Sequence, residues 1–258
     1  MMKKILVRAD DLGYSRGVNY GIHDAVYNGF INNVGIMVNM PITEAGFNMI
    51  KDEPIDFGQH TDITNGKPVL PADQVPSVVD ENGYFLRSKV YRDNIKAGKP
   101  DFINLEEVVA EIEAQYHRFL ELIGRKPDYF EGHAVASPNF VKGLRIVAEK
   151  YDLPFLDFTF DGKPLKFKKQ TTFISPFDFM DSDYDPKRTL RRLMNEASDS
   201  WTNIPMMVCH PGFLDKYILE TSSLTTPRTL EADMAIDQAL MAEIKANKIQ
   251  LIRYSECE

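Results

Sequence analysis

A chain of 258 residues, 43% apolar and with a formal net charge of −8, can bury a large core, and its acidic balance argues against a nucleic-acid partner. Lys3, Lys4 and Arg8 bracket too few apolar residues for a signal-peptide core or a spanning helix, so a soluble, cytoplasmic chain with no membrane partner is expected. The two cysteines, Cys209 and Cys257, make neither a disulfide framework nor a CxxC metal motif.

Residues 3–7 read as a buried parallel strand. The strand runs into Arg8-Ala9-Asp10-Asp11-Leu12-Gly13, which sets two adjacent carboxylates at a strand end, where α/β folds bind ligands. Like charges this close are hard to ionise together without a cation or a donor nearby. One acid holding a metal while the other handles a proton would resolve that conflict; a loop Asp that caps the next helix is the plainer alternative.

Helical periodicity follows over 17–30, then strand 34–40 stopped by Pro41, a short helix over 44–51 and strand 55–64. Residues 65–100 read as a long irregular segment, a length typical of a functional loop or lid over a pocket mouth. Asn104 caps an amphipathic helix that Gly124 ends, and strand 128–133 leads to helix 138–151. Strand 153–160, an irregular stretch 161–185, helix 186–198, strand 205–210, one helix over 229–247 and strand 249–254 complete the chain. About seven strands alternating with helices predict an α/β fold: one domain over 1–258, a single (β/α) barrel of about seven parallel strands. A doubly wound open sheet is the alternative architecture, and neither GxGxxG nor a P-loop supports a nucleotide site.

The five histidines divide by position. His23 and His117 lie on helices beside apolar stripes and read as ordinary helix residues. His60, His133 and His210 fall at strand C-termini, as do Asp10 and Asp11, so a parallel sheet would bring all five to one face. Two imidazoles and one carboxylate make a three-ligand set for a divalent cation with positions left open. The remaining Asp and His would then be free for proton transfer, a layout suited to metal-assisted hydrolysis of an amide or ester. The alternatives are another metal hydrolase such as a phosphoesterase, or a non-catalytic sugar-binding protein or receiver-type switch.

Ala9-Asp10-Asp11-Leu12-Gly13 resembles the ADDFG signature of the YdjC-like proteins, the chitooligosaccharide (carbohydrate) deacetylase family. Gly58 to Gly66 resembles that family's GLHLNLTEG, Glu131-Gly132-His133 stands at its DSHQHVH block, and Cys209-His210-Pro211-Gly212 matches its CHPG. Arg228 with Glu231 resembles its late R-x-x-E element. The resemblance implies a barrel related to polysaccharide deacetylases. It also implies a divalent metal (magnesium or zinc) held by Asp11, His60 and His133, with Asp10 as base and His210 as acid. Its substrates would be N-acetylated sugars or short chitooligosaccharides, with or without a phosphate. Leu12, Gln59 and Asp62 depart from the pattern, and Ala134 to Ser137 lacks the later family histidines, so the substrate side of the pocket differs. Trp201, Tyr84, Phe85 and Phe213 are candidate sugar-facing aromatics, and a homodimer is the default assembly.

Overall fold

The computed structural model describes residues 2–157, 163–176, 178 and 180–258. Its elements in order are β1 (Lys3–Leu12), α1 (Arg16–Tyr27), β2 (Asn33–Ile36), α2 (Thr43–Ile50), β3 (Asp56–Thr61), α3 (Ser88–Lys96), α4 (Leu105–Ile123), β4 (Tyr129–Gly132) and α5 (Pro138–Tyr151). The second half holds β5 (Leu165–Phe167), β6 (Thr171–Ile174), α6 (Pro186–Glu196), β7 (Ile204–Cys209), α7 (Lys216–Thr221), α8 (Thr226–Ala235), α9 (Gln238–Ala246) and β8 (Ile249–Ile252).

Among the described residues the strands form one curled sheet in the order β4-β3-β2-β1-β7-β6-β5, with β8 also paired to β1. Every pairing is parallel except β5–β6. β8 follows the first half of one β1 edge (Lys3–Leu6), β2 takes over from Ala9, and β7 pairs the opposite edge. Asn33 seals the handover: its amide Nδ2 donates to the carbonyls of Val7 and Ile252 at 3.0 and 3.1 Å.

Strand alternation sorts β1 into two faces. Ile5, Val7 and Ala9 join the outer core beneath the helices, while Leu6 joins Tyr129, Phe167, Phe173, Met206 and Tyr254 inside the sheet. The inward position Gly58 of β3 must stay small beneath Tyr129. A Cβ at Gly58 would lie 2.2 Å from the Tyr129 ring. Gly58→Ala should therefore destabilise the fold by about 1–3 kcal/mol, read as a lowered urea midpoint; an unchanged midpoint would mean that the ring has room to move.

Several sequence expectations are corrected. Segment 65–100 is built rather than irregular: Val75, Val78, Phe85 and Tyr91 are buried against Ile103, Val108, Ile112 and Phe140 in a second core that includes α3. Its apolar residues are spread among prolines and turns, which masks their period. The stretch 161–185 contains the β5–β6 hairpin, whose strands are too short to show alternation. The expected 153–160 strand reduces, within the described residues, to a parallel bridge of Phe155 to Phe130; the rest lies outside them. The expected helix 229–247 is two helices, because Asp237 caps a fresh start by accepting from the amides of Ala239 and Leu240. No helix among the described residues is long and apolar enough to cross a membrane.

Candidate active site

Asp10 continues the inward row of Leu6 and Arg8, so simple alternation would turn Asp11 away from the barrel. Two features prevent that. The β1–β2 register shifts between Ala9 and Leu12, and Asp11 adopts a left-handed backbone with φ 79°.

 

That shift, between Ala9 and Leu12, is a bulge that brings both carboxyls to the same end of the sheet. A left-handed backbone costs a non-glycine residue about 1–2 kcal/mol, a cost Asp bears better than most side chains.

Asp11 is fully buried and clamped from both sides. Its Oδ2 accepts from the Arg228 guanidinium at 2.7 Å, and its Oδ1 lies 3.2 Å from His60 Nε2 and 3.1 Å from His133 Nδ1. The two imidazole nitrogens are 2.8 Å apart. Burial opposes the charge, yet Arg228 and His133 hold the Asp11 carboxyl well below the usual carboxylate range.

His60 and Glu131 are direct cross-strand partners of β3 and β4, and His60 Nδ1 hydrogen-bonds Glu131 Oε1. With Nδ1 turned to that carboxylate, Nε2 faces Asp11 and His133. The same Glu131 accepts from Arg8 at 3.2 Å, and Arg8 also donates to Asp10 Oδ2 at 2.8 Å. Although burial works against ionisation, Arg8 and His60 lower the pKa of Glu131. For Asp10 the balance goes the other way: burial raises its pKa despite Arg8. Its Oδ1 is buried with no hydrogen-bond partner.

His210 directly follows β7, and its backbone N–H donates to Glu231 Oε2 at 2.7 Å. Glu231 Oε1 accepts from the Tyr184 hydroxyl at 2.6 Å. Arg228 and Glu231, three residues apart on α8, thus hold Asp11 and His210 respectively. Glu231 is near, 3.9 Å from His210 Nδ1, but burial outweighs the neighbouring charges and pushes the imidazole down to about 3.

Burial likewise pushes the Glu231 carboxyl up to about 7. Between the ordinary carboxyl value and about pH 7, the folded chain keeps a proton that the unfolded chain has lost, so this group's contribution to stability falls as pH rises through that window. Glu231→Gln should flatten that slope in melting temperatures taken from about pH 5 to about pH 8. An unchanged slope would remove Glu231 as its source.

The residues present fit a divalent cation. Asp11 Oδ1 is buried without a hydrogen-bond donor and faces two imidazole nitrogens, and Asp11, His60 and His133 form one of two compact ligand groups among the described residues. The other, Asp10, His60 and Glu131, already has Arg8 on both carboxylates. Two buried guanidiniums, Arg8 and Arg228, and the His60 imidazole face four buried carboxyls, Asp10, Asp11, Glu131 and Glu231.

A cavity of about 390 Å³ opens beside this cluster, lined by Asp10, His60, His133 and His210 and on its far side by Met180 and Tyr184. All five sequence candidates therefore meet at one place. Residues 65–100 do not line the cavity; the wall comes from Ser175, Pro176, Asp178, Met180, Tyr184, Thr189 and the strand ends. Asn65, whose amide is 3.3 Å from His133 Nε2, is the segment's nearest approach through the hydrogen bonds described.

The aromatic candidates are corrected. Trp201 precedes β7, at the opposite end of the strand from His210, and lies under Lys4. Phe85 is buried in the second core, and Tyr84 and Phe213 are exposed outside the cavity wall. His23 and His117 pair with Tyr27 and Tyr151 on helices, away from the cavity wall.

Arg8 and Tyr184 had no assigned role in the sequence reading. Two-residue alternation with Asp10 would have found Arg8. Tyr184 lies in a stretch with no strand or helix period to place it.

A family model described as YdjC-like protein matches residues 4–246. Carbohydrate deacetylase 2 of Listeria innocua serovar 6a is 30% identical over 262 residues, covering 98% of each chain. Among solved structures, a candidate cellobiose-phosphate cleavage protein from Enterococcus faecalis V583 is 25% identical with a TM-score of 0.80, covering 98% of each chain. A family 4 acetyl xylan esterase from Clostridium thermocellum is 13% identical with a TM-score of 0.52, covering 98% of this chain and 89% of the other, a likeness of fold.

Proposed function

The chain belongs to the YdjC-like family, and from that premise we propose that it is a metal-dependent deacetylase of N-acetylated sugars or short chitooligosaccharides, with or without a phosphate. The observation that carries this reading is the buried, donor-free Asp11 Oδ1 facing His60 Nε2 and His133 Nδ1 at the mouth of a sugar-sized cavity. Asp11, His60 and His133 would hold the ion; two imidazoles and a carboxylate suit zinc better than magnesium. A bound divalent cation would polarise the acetyl carbonyl and acidify water.

The remaining groups divide the proton work. Arg8 occupies Asp10 Oδ2 and leaves Oδ1 free to take a proton from the attacking water. A carboxyl whose pKa is raised by burial is the better base for this task. His210 lies across the cavity wall, where its ring would deliver a proton to the departing amine. Its lowered pKa means that it rests neutral and donates only after gaining a proton during turnover.

The protein loaded with zinc or magnesium should release acetate from N-acetylglucosamine or its short oligomers and no phosphate from a generic phosphate ester. Phosphate release without acetate would make it a phosphoesterase, and saturable sugar binding without turnover a binding protein. A cytoplasmic homodimer is the working expectation for its setting, to be checked by cell fractionation and light scattering.

His210→Ala should keep the metal and lose about 10²–10⁴ in kcat on the amide, with a smaller loss on an activated acetyl ester whose leaving group needs no proton. Equal losses on both substrates would remove His210 as the acid.

A further inference from the structure

One buried chain of hydrogen bonds connects the cavity wall to the strand end that carries His210. Tyr184 lines the cavity, and its hydroxyl donates to Glu231 Oε1 at 2.6 Å. Glu231 is fully buried, and its second oxygen accepts from the His210 backbone at 2.7 Å. The turn after His210 is held as well: Gly212 N–H donates to the Arg228 carbonyl at 3.2 Å, and a Cβ on Gly21 of α1 would come within 2.4 Å of Gly212 Cα.

The wall around Tyr184 is itself anchored. Asp178, another wall residue, accepts from Thr189 Oγ1 at 2.6 Å and from Arg192 at 2.9 and 3.0 Å, both on α6. Asp185, next to Tyr184, caps that helix through the amides of Lys187 and Arg188. The segment before α6 is therefore fixed to α6 at one end and, through Tyr184 alone among these contacts, to Glu231 on α8.

The structure assigns Tyr184 the role of a positioning residue for the reaction proposed above: through Glu231 it ties the cavity wall to the backbone of His210 and so sets the direction of that imidazole toward the leaving group. This rests on the deacetylase reading for its kinetic consequence, but the tether itself does not. Tyr184 acts through another residue; the hydroxyl moves no proton in the reaction. The phenol suits this task because burial and the Glu231 carboxylate keep it protonated, hence always a donor.

Tyr184→Phe removes one hydroxyl and keeps the ring. Two readouts test it on the whole metal-loaded chain. Hydrogen exchange at the His210 amide, measured without substrate, should become about tenfold faster, because one of the two bonds orienting its acceptor is gone. In steady state, kcat on an N-acetylated sugar should fall about tenfold with KM nearly constant, and the fall should be smaller on an activated acetyl ester. Glu231→Gln should rescue most of the function lost in Glu231→Ala, since its amide can accept from the His210 N–H and donate to the Tyr184 oxygen.

Unchanged exchange at His210 overturns the tether whatever the activity. Faster exchange with kcat unaltered, with equal losses on the two substrates, or with a change in KM alone overturns the positioning role. A parent enzyme that releases no acetate from any sugar tested counts against the deacetylase reading, while the exchange result still decides the tether.

Discussion

Asp11→Asn should lower divalent-metal affinity by more than about 100-fold, since even an outer partner of a ligand is worth about 10–100-fold. The carboxylate is the one anionic member of the set with His60 and His133, and its Oδ1 has no donor to satisfy it. Asn is the informative replacement because it tolerates the left-handed backbone at φ 79° and keeps a contact to Arg228. Asp11→Ala would also leave Arg228 buried without its partner, at about 3–5 kcal/mol, so lost metal and lost fold would be confused. Calorimetric titration of folded Asp11→Asn with zinc and with magnesium decides the matter: parent-like affinity for both would show that Asp11 is not a ligand. Affinity in the parent should fall with pH as His60 gains a proton; burial opposes that proton, but Glu131 and Asp10 raise the His60 pKa well above its ordinary value.

The parts of this site that were legible in the sequence are those that sit at strand ends. Asp10, His60, His133 and His210 each stand at or next to the C-terminal end of a strand, and parallel pairing makes such ends converge. What alternation could not supply is the bulge at Asp11, because the backbone twist that turns two adjacent carboxyls the same way leaves no mark in hydrophobic period. The fold followed the same division. Asn104 and Gly124 mark both ends of α4 with cap chemistry, the second at φ 81°. The break between α8 and α9 was hidden because both helices continue one apolar stripe, and Asp237 reads equally well as a surface residue. Segment 65–100 misled for a related reason: its buried residues come from turns and short helices, so they gather in space without gathering in period.

The network also explains why neither acid can be read in isolation. Arg8 bridges Asp10 and Glu131, and Glu131 in turn fixes the ring of His60. A change at the base is therefore felt at a ligand two contacts away, and replacements that preserve shape are needed to keep the two roles apart.

Asp10→Asn is such a replacement. It should retain metal, because Asp10 Oδ2 is engaged by Arg8 and the ligand set lies on Asp11, His60 and His133. It should lose about 10²–10⁴ in kcat, the usual worth of a general base. The Asn carbonyl can accept from Arg8 in place of Oδ2, which puts its NH₂ where Oδ1 stood and leaves no acceptor for the water proton. Asp10 must be ionised to act, and burial has raised its pKa, so parent kcat/KM should climb with pH through that raised value. In Asp10→Asn that ascending limb should disappear from what activity remains. Metal titration and a pH–rate profile on the same preparation test both halves. Near-parent kcat would remove Asp10 as the base, and lost metal binding would move it into the ligand set, with the second ligand group, Asp10, His60 and Glu131, as the site to examine next.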